Sequence, residues 1–252
     1  MTTIECAKEK TLRVATYNVH GCAGATNLVD PMRTAAVLAE LDADIIALQE
    51  VDNVRGRSGG VDQAGALAQE LGYFHAFCAA QHSVDSGGYG NAVLSRWPIV
   101  SHVTLTLPGV SMWRAEPRCA VEAVVATPWG ELSVWGVHLG VRHVERARQT
   151  SALIGRMRRA IHGTERLPLV LLGDLNAGPS SRLLRSLGTW LVDARDYGGG
   201  RTFPSSYPLF AIDHVLVSPP LCVAGARAHR SAAAVIASDH LPFVADLNWH
   251  VA

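Results

Sequence analysis

Short apolar runs that end in polar groups recur along this chain. The clearest is Leu169-Val170-Leu171-Leu172, bounded by Pro168 and by Gly173-Asp174-Leu175-Asn176, which reads as a strand covered on both faces with a carboxylate and an amide at its mouth. Val14-Ala15-Thr16-Tyr17 leads to Asn18, and Asp44-Ile45-Ile46-Ala47-Leu48 leads to Gln49-Glu50. Leu132 to Val137 leads to His138, Ala211-Ile212 to Asp213-His214, and Ser238-Asp239-His240 stands just before the apolar run Leu241 to Leu247. One strand ending in a carboxylate is ordinary turn chemistry. The same arrangement met repeatedly, with groups suited to a metal or a phosphate each time, is a site hypothesis.

Between these runs the pattern changes period. Asp30 as N-cap with Pro31 at the first helical position opens a helix to about Leu41, and a second runs from about Asp62 to Leu71 and stops at Gly72. Strands are expected at Leu12 to Asn18, Asp44 to Leu48, Tyr73 to Cys78, Asn91 to Ser95 and Ile99 to Leu105. Arg118 to Ala126 and Glu131 to His138 form a hairpin closed by Thr127-Pro128-Trp129-Gly130. From His143 to His162 the apolar positions Val144, Ala147, Ile154, Met157 and Ile161 fall at helical spacing, with arginines on the other faces. Hairpins mixed with helical crossovers favour two packed sheets flanked by helices over a doubly wound parallel sheet.

With 252 residues, 48% of them hydrophobic, and no Pro/Ser-rich linker, residues 12–249 are expected to form one domain behind a tail at 1–11. Lysine plus arginine, 22, equals aspartate plus glutamate, 22, so bulk charge offers no long-range attraction to a polyanion. The scattered cysteines Cys6, Cys22, Cys78, Cys119 and Cys222 fit neither a zinc knuckle nor a disulfide framework. Polar Met1 to Thr11 lacks the apolar stretch of a signal peptide, and no run reaches membrane-spanning length. These features predict a cytoplasmic monomer that does not insert into a membrane.

Asn18, Gln49-Glu50, Gly90-Asn91-Ala92-Val93-Leu94-Ser95-Arg96, His138-Leu139, Gly173-Asp174-Leu175-Asn176, Ile212-Asp213 and Ser238-Asp239-His240 together resemble, in order and spacing, the endonuclease/exonuclease/phosphatase superfamily of DNase I-like fold, over about Leu12 to Leu247. The resemblance implies a four-layer α/β sandwich, with two mostly antiparallel mixed β-sheets packed face to face and flanked by helices. It also implies hydrolysis of a phosphodiester by in-line attack of a water oriented by Asp174. Glu50, Asn18 and Asp239 supply hard oxygen donors of the kind that hold Mg²⁺, with Mn²⁺ able to substitute. Asn176 is expected to donate to a nonbridging phosphate oxygen, and His240, oriented by Asp213, to pair with the phosphate. His138 matches the family's strand-end histidine that contacts the scissile phosphate. Asn91, Arg118, Phe210 and Trp113 are expected to contribute to substrate binding, although Gly88-Tyr89-Gly90 also reads as a loop that needs only backbone freedom.

The substrate stays open among nucleic acid, phospholipid and small phosphoester. The arginines of the long helix read as a solvated face, interrupted by Glu145. Val51-Asp52 after Glu50, and His20 two residues beyond Asn18, depart from the repair nucleases of the family and argue against a preference for abasic DNA. His214, beside Asp213, reads as packing or surface. A non-catalytic binding module on the same scaffold is expected to have lost Asp174, Glu50 or His240, and all three are present.

Overall fold

A computed structural model describes residues 10–82, 87–109, 116–162 and 166–249. In chain order the elements are β1 (Thr11–Asn18), α1 (Pro31–Leu41), β2 (Ile45–Asn53), α2 (Gln63–Leu71), β3 (Phe74–His82), β4 (Gly88–Ser95), β5 (Ile99–Leu107), β6 (Arg118–Thr127), β7 (Gly130–His138), α3 (His143–His162), β8 (Leu169–Asp174), α4 (Arg182–Leu187), β9 (Val192–Asp193), β10 (Asp213–Val217), β11 (Leu221–Ala228), α5 (Ala232–Ala237) and β12 (Phe243–Trp249). The strands make two six-stranded sheets, ordered β11-β12-β1-β2-β4-β3 and β5-β6-β7-β8-β10-β9. Each sheet is antiparallel except for one parallel pair near its centre, β1 with β2 and β7 with β8.

Strand parity sorts the side chains into layers. Leu12, Val14, Ile45 and Ala47 of the first sheet meet Val134, Val170, Leu172 and Val215 of the second in a shared core. Their neighbours Ala15, Tyr17, Ile46 and Leu48 turn outward onto α1, α2 and α5. On the far side Trp135, Leu169 and Leu171 are covered by α3 and α4 through Leu153, Met157, Leu184 and Leu187. The result is the expected order of helices, sheet, sheet and helices. Each buried Val or Leu contributes ~1.5–3 kcal/mol relative to exposure, so a one-residue slip of a central strand is strongly disfavoured.

Local signals in the chain explain the element ends. The Asp30 carboxylate accepts from the N–H groups of Met32 and Arg33 at 3.0 and 3.1 Å, and Gly72 closes α2 at φ 69°. Gly88-Tyr89-Gly90 is strand and not loop, because β4 pairs with both β2 and β3 along its length. A Cβ at Gly90 would lie 1.9 Å from the Cys78 carbonyl oxygen, so the glycine serves close strand approach.

The long helix matches its expected bounds, and Met157 and Ile154 of its expected apolar face pack on the core, but its first turns do not follow that face. Val144 and Ala147 are exposed, while Glu145, Gln149, Thr150, Leu153 and Met157 are buried. Polar residues point inward in its first turns because the chain before α3 packs against them. The Gly140 N–H donates to Gln149 Oε1 at 2.9 Å, and a Cβ at Gly140 would stand 2.2 Å from the Glu145 carboxylate. The arginines here are engaged locally, with Arg156 donating to Glu122 at 2.8 Å and Arg158 4.8 Å over the Trp190 ring. The side chain of Ile161 lies outside the described residues.

Candidate active site

The two parallel pairs run in the same sense, so Asn18 and Glu50 of the first sheet and His138 and Asp174 of the second arrive at one edge of the sandwich. Antiparallel neighbours reach the same edge at their starts. Asp213 opens β10 opposite Asp174, and Ser238-Asp239-His240 precedes β12, whose Phe243 pairs with Thr16. The sequence pattern had Ala211-Ile212 as a strand leading to Asp213. The strand instead begins at Asp213, because β10 runs antiparallel to β8.

Glu50 sits where the β2–β4 register shifts, between Leu48 and Val51, in a left-handed conformation at φ 60°. A non-glycine residue in that region costs roughly 1–2 kcal/mol. Gln49 helps to hold the bulge, its Oε1 accepting from Thr16 Oγ1 at 3.1 Å. The Asn18 amide joins the sheets, donating to Glu50 Oε1 at 2.9 Å and to Asp174 Oδ2 at 3.3 Å, while its Oδ1 accepts the His20 N–H at 3.1 Å. Ser238 donates to the Asn18 carbonyl at 2.7 Å and so anchors the segment carrying Asp239 and His240.

Asp174 is buried at the centre. Its Oδ1 accepts the Asn176 backbone N–H at 2.9 Å, and its Oδ2 lies 3.4 Å from His138 Nε2 and 3.7 Å from His240 Nε2. Burial and the neighbouring Asp213 charge raise the Asp174 carboxyl. Asp213 Oδ2 pairs with His240 Nδ1 at 3.0 Å. Burial opposes charge on both, but their attraction wins. The Asp213 carboxyl is lowered, and the His240 imidazole is pushed up to about 10, so it is a cation at neutral pH. The Phe203 ring stands 4.8 Å from that imidazole and shields it.

His138 is the opposite case. Burial and the adjacent Arg118 guanidinium push it down to about 3, so it is neutral at pH 7. Arg118 Nη1 lies 3.1 Å from His138 Nδ1; a guanidinium can only donate, which makes Nδ1 the acceptor and puts the ring proton on Nε2. Of the groups near Nε2, the Asp174 carboxylate is the acceptor, whereas Asn176 Nδ2, 3.2 Å away, is itself a donor and is bonded to the Leu139 carbonyl at 2.9 Å.

Glu50 and Asp239 flank His20, whose Nδ1 lies 3.6 Å from Glu50 Oε2 and 3.7 Å from Asp239 Oδ1. Burial pushes Glu50 up, but the hydrogen bonds from His20 and Asn18 outweigh it and hold the carboxyl well below the usual range. The cluster of hard oxygen donors, one of them firmly ionised, fits a divalent cation of the Mg²⁺ or Mn²⁺ kind. Asp174, Asp213 and His240 also have ligand atoms within 4.8 Å of one another. There the Asp213–His240 hydrogen bond already occupies Nδ1, which makes a phosphate-binding relay the better use of the trio.

The remaining expected residues divide. Arg118 reaches the centre through His138. Asn91 is buried and donates to the Cys119 carbonyl at 2.8 Å, tying β4 to β6 across the sheets. Phe210 is exposed, bridged to Phe203 and 6.4 Å from its ring. Trp113 lies outside the described residues. His214 is fully buried, between Asp193 Oδ2 at 2.8 Å and the Ala177 carbonyl at 2.9 Å, and does not reach the surface. His229 is half-buried against Glu40 at 2.7 Å. The pattern undervalued His20, whose place among the carboxylates depends on the turn His20–Cys22, and missed Arg195, whose guanidinium donates to the Asp213 carbonyl.

A model of the endonuclease/exonuclease/phosphatase family matches residues 15–240. The chain belongs to that family. It is 27% identical over 226 residues to the uncharacterized protein YbhP of Escherichia coli K12, covering 81% of this chain and 84% of YbhP. An endonuclease/exonuclease/phosphatase from Beutenbergia cavernae superposes with a TM-score of 0.78 at 26% identity, over 95% of this chain and 72% of that one. The human Nocturnin catalytic domain with bound sulfate shares the fold, with a TM-score of 0.75 at 22% identity over 95% of each chain. So does a mannosyl-6-phosphatase of Bacteroides thetaiotaomicron, with a TM-score of 0.75 at 20% identity over 94% of this chain and 99% of that one. This family member is accordingly a hydrolase with phosphatase and nuclease relatives.

Proposed function

We propose that this protein is a Mg²⁺-dependent phosphodiesterase whose substrate class is open among nucleic acid, phospholipid and small phosphoester. The observation that carries the reading is Asp174, a buried carboxyl raised toward neutrality and facing one neutral and one cationic imidazole. A carboxylate so raised is a stronger proton acceptor, suited to take a proton from an attacking water. The cationic His240 directs Nε2–H into the same space and is placed to donate to a phosphoryl oxygen as charge builds on it. Asn176, with one amide hydrogen given to Leu139, has the other to offer the same group. His138 Nε2–H is held by Arg118 in the tautomer that orients Asp174. Glu50, Asp239 and Asn18 would hold a divalent cation, which when bound would supply Lewis-acid polarisation of the phosphoryl group and charge stabilisation for the leaving alkoxide.

The fold-mates support phosphoester chemistry at this site, since one is a mannosyl-6-phosphatase and another is described with bound sulfate. No helix among the described residues is long and apolar enough to cross a membrane, and Cys22, Cys78, Cys119 and Cys222 are free thiols; both fit the proposal of a cytoplasmic enzyme. The test is a metal-supplemented screen over single-stranded RNA, duplex DNA with and without an abasic analogue, phospholipids and small phosphoesters, with Asp174→Asn as the blank. Metal-dependent turnover of a diester, lost in the variant, is expected. Turnover of monoesters alone would replace phosphodiesterase by phosphatase, and lesion-dependent incision that survives moderate salt would move the protein to DNA repair.

A further inference from the structure

Beyond the bulge that aims Glu50, β2 carries Asp52, whose side chain is 2% exposed. Arg57 donates to that carboxylate from Nε at 2.8 Å and Nη2 at 2.7 Å, and Arg55 Nη1 lies 3.8 Å from it. Both guanidinium groups stand over the Tyr89 ring, Arg57 at 4.9 Å and Arg55 at 5.8 Å from its centroid. Tyr89 pairs with Asp52 across the β2–β4 ladder, just beyond the register shift that carries Glu50. One aromatic ring thus backs both arginines next to the strand bulge of the expected metal ligand.

Two guanidinium groups share one carboxylate, and arginine keeps its charge at any pH the protein meets. Asp52 by itself balances one of the two charges, and the next carboxylate along the strand is Glu50, the expected metal ligand, which also acts on Arg57. Arg57 uses Nε and Nη2 on Asp52, yet 55% of its side chain is exposed, so the Nη1 edge faces solvent. The carrying loop is pinned, Val54 N–H donating to the Val61 carbonyl at 2.9 Å and Asn53 bridging Asp62. A buried carboxylate that fixes a guanidinium fork on an aromatic face, with one edge left outward, is preorganised for a phosphate.

We propose that Arg55 and Arg57, mounted on Asp52 and Tyr89, form a subsite for a second phosphate of the substrate, beside the one that is cleaved. This rests on the phosphoesterase reading and narrows it to phosphoesters that carry another phosphate. If the pair only pinned the loop, its removal would lower stability and slow all substrates alike.

The matched probes are the 4-nitrophenyl ester of thymidine 5′-phosphate with and without a 3′-phosphate. The native enzyme should favour the 3′-phosphorylated ester in kcat/KM by about tenfold or more, the worth of one charge-assisted contact. Arg55→Gln, which leaves Asp52 paired, should cut that ratio at least about threefold, and Asp52→Asn with Arg57→Gln should bring it near unity, with raised KM on the 3′-phosphorylated ester. Added salt should erode the preference. Competition separates the sources of the second phosphate: inhibition by oligothymidylate well beyond thymidine 3′,5′-bisphosphate assigns it to a nucleic-acid chain, and comparable inhibition to a small bisphosphate. Hydrolysis of both esters at equal kcat/KM, or a ratio that survives both variants, would overturn the subsite alone. Turnover of neither ester would remove the phosphoesterase reading and the subsite with it.

Discussion

Replacing Asp213 by Asn isolates the charge that holds His240 as a cation. The swap keeps an oxygen to accept from His240 Nδ1–H at the present 3.0 Å, and it places the new amide nitrogen where Asp213 Oδ1 has no partner. What is lost is a carboxylate buried to 0% exposure beside an imidazole at 4%. That carboxylate is the main group lifting His240 to about 10 against burial, so in the variant the imidazole falls toward its ordinary value, with Asp174 and Asp239 still raising it and burial lowering it. At ~1.4 kcal/mol per tenfold, this amounts to a few kcal/mol, in the range of ~3–5 kcal/mol for breaking a buried ion pair. The raised imidazole contributes stability that is complete below 6.5 and lost as pH rises through about 10; the lowered carboxyl contributes stability present above its ordinary value and lost as pH falls through its lowered one. The pair therefore stabilises the native enzyme throughout neutral pH, and the variant should melt lower there. Losing a cationic donor to the phosphoryl oxygen should reduce kcat by ~10²–10³ at pH 8. The deficit should shrink as pH falls and the variant imidazole regains its proton. A pH–rate profile of both proteins, with NMR titration of His240, is the assay. A deficit independent of pH, or a native His240 titrating near 6.5, would refute the reasoning.

Chelation followed by dialysis should abolish turnover, with Mg²⁺ or Mn²⁺ restoring it and Zn²⁺ doing so poorly; full activity in the stripped protein removes the roles given to Glu50, Asn18 and Asp239. Asp174→Asn and His240→Ala should each lower kcat at least ~100-fold, and the double variant should lose less than the product of the two; losses that multiply would mean that they do not share one phosphate. The acid limb of native activity should lie above the ordinary carboxylate value, because activity falls as pH drops through the raised Asp174 carboxyl, and a limb near pH 4 would contradict that environment. Gly173→Ala, whose Cβ would lie 2.0 Å from the Val137 carbonyl oxygen, should destabilise by roughly 3 kcal/mol or more in urea unfolding, against ~1 kcal/mol for Gly59→Ala, where φ is 72° and nothing stands within 4 Å; equal effects would show that the β7–β8 approach is looser than described.

The linear order of residues determined much of this protein. Parity of apolar residues in Val14 to Tyr17 and Leu169 to Leu172, the Asp30-Pro31 cap and the Gly72 stop are local properties, and each survives in the fold because packing agrees with it. The residues of the centre were legible because strand ends carrying Asn18, Glu50, His138, Asp174 and His240, each ordinary alone, recur along one chain. Their mutual geometry was not. That Asp213 opens a strand and does not close one, that His20 lies between two carboxylates, and that Arg118 sets the tautomer of His138 all follow from which strands lie side by side and in which sense, a contact between residues far apart in sequence. Tertiary packing also overrode the helical period of α3, drawing Glu145 and Gln149 inward to meet Gly140 while Val144 and Ala147 faced water. It decided the electrostatics as well: two histidines of the same ordinary value become one neutral and one charged because His138 faces an arginine and His240 a carboxylate. Side-chain identity sets what a group can do, and only its buried neighbours decide which protonation state it holds.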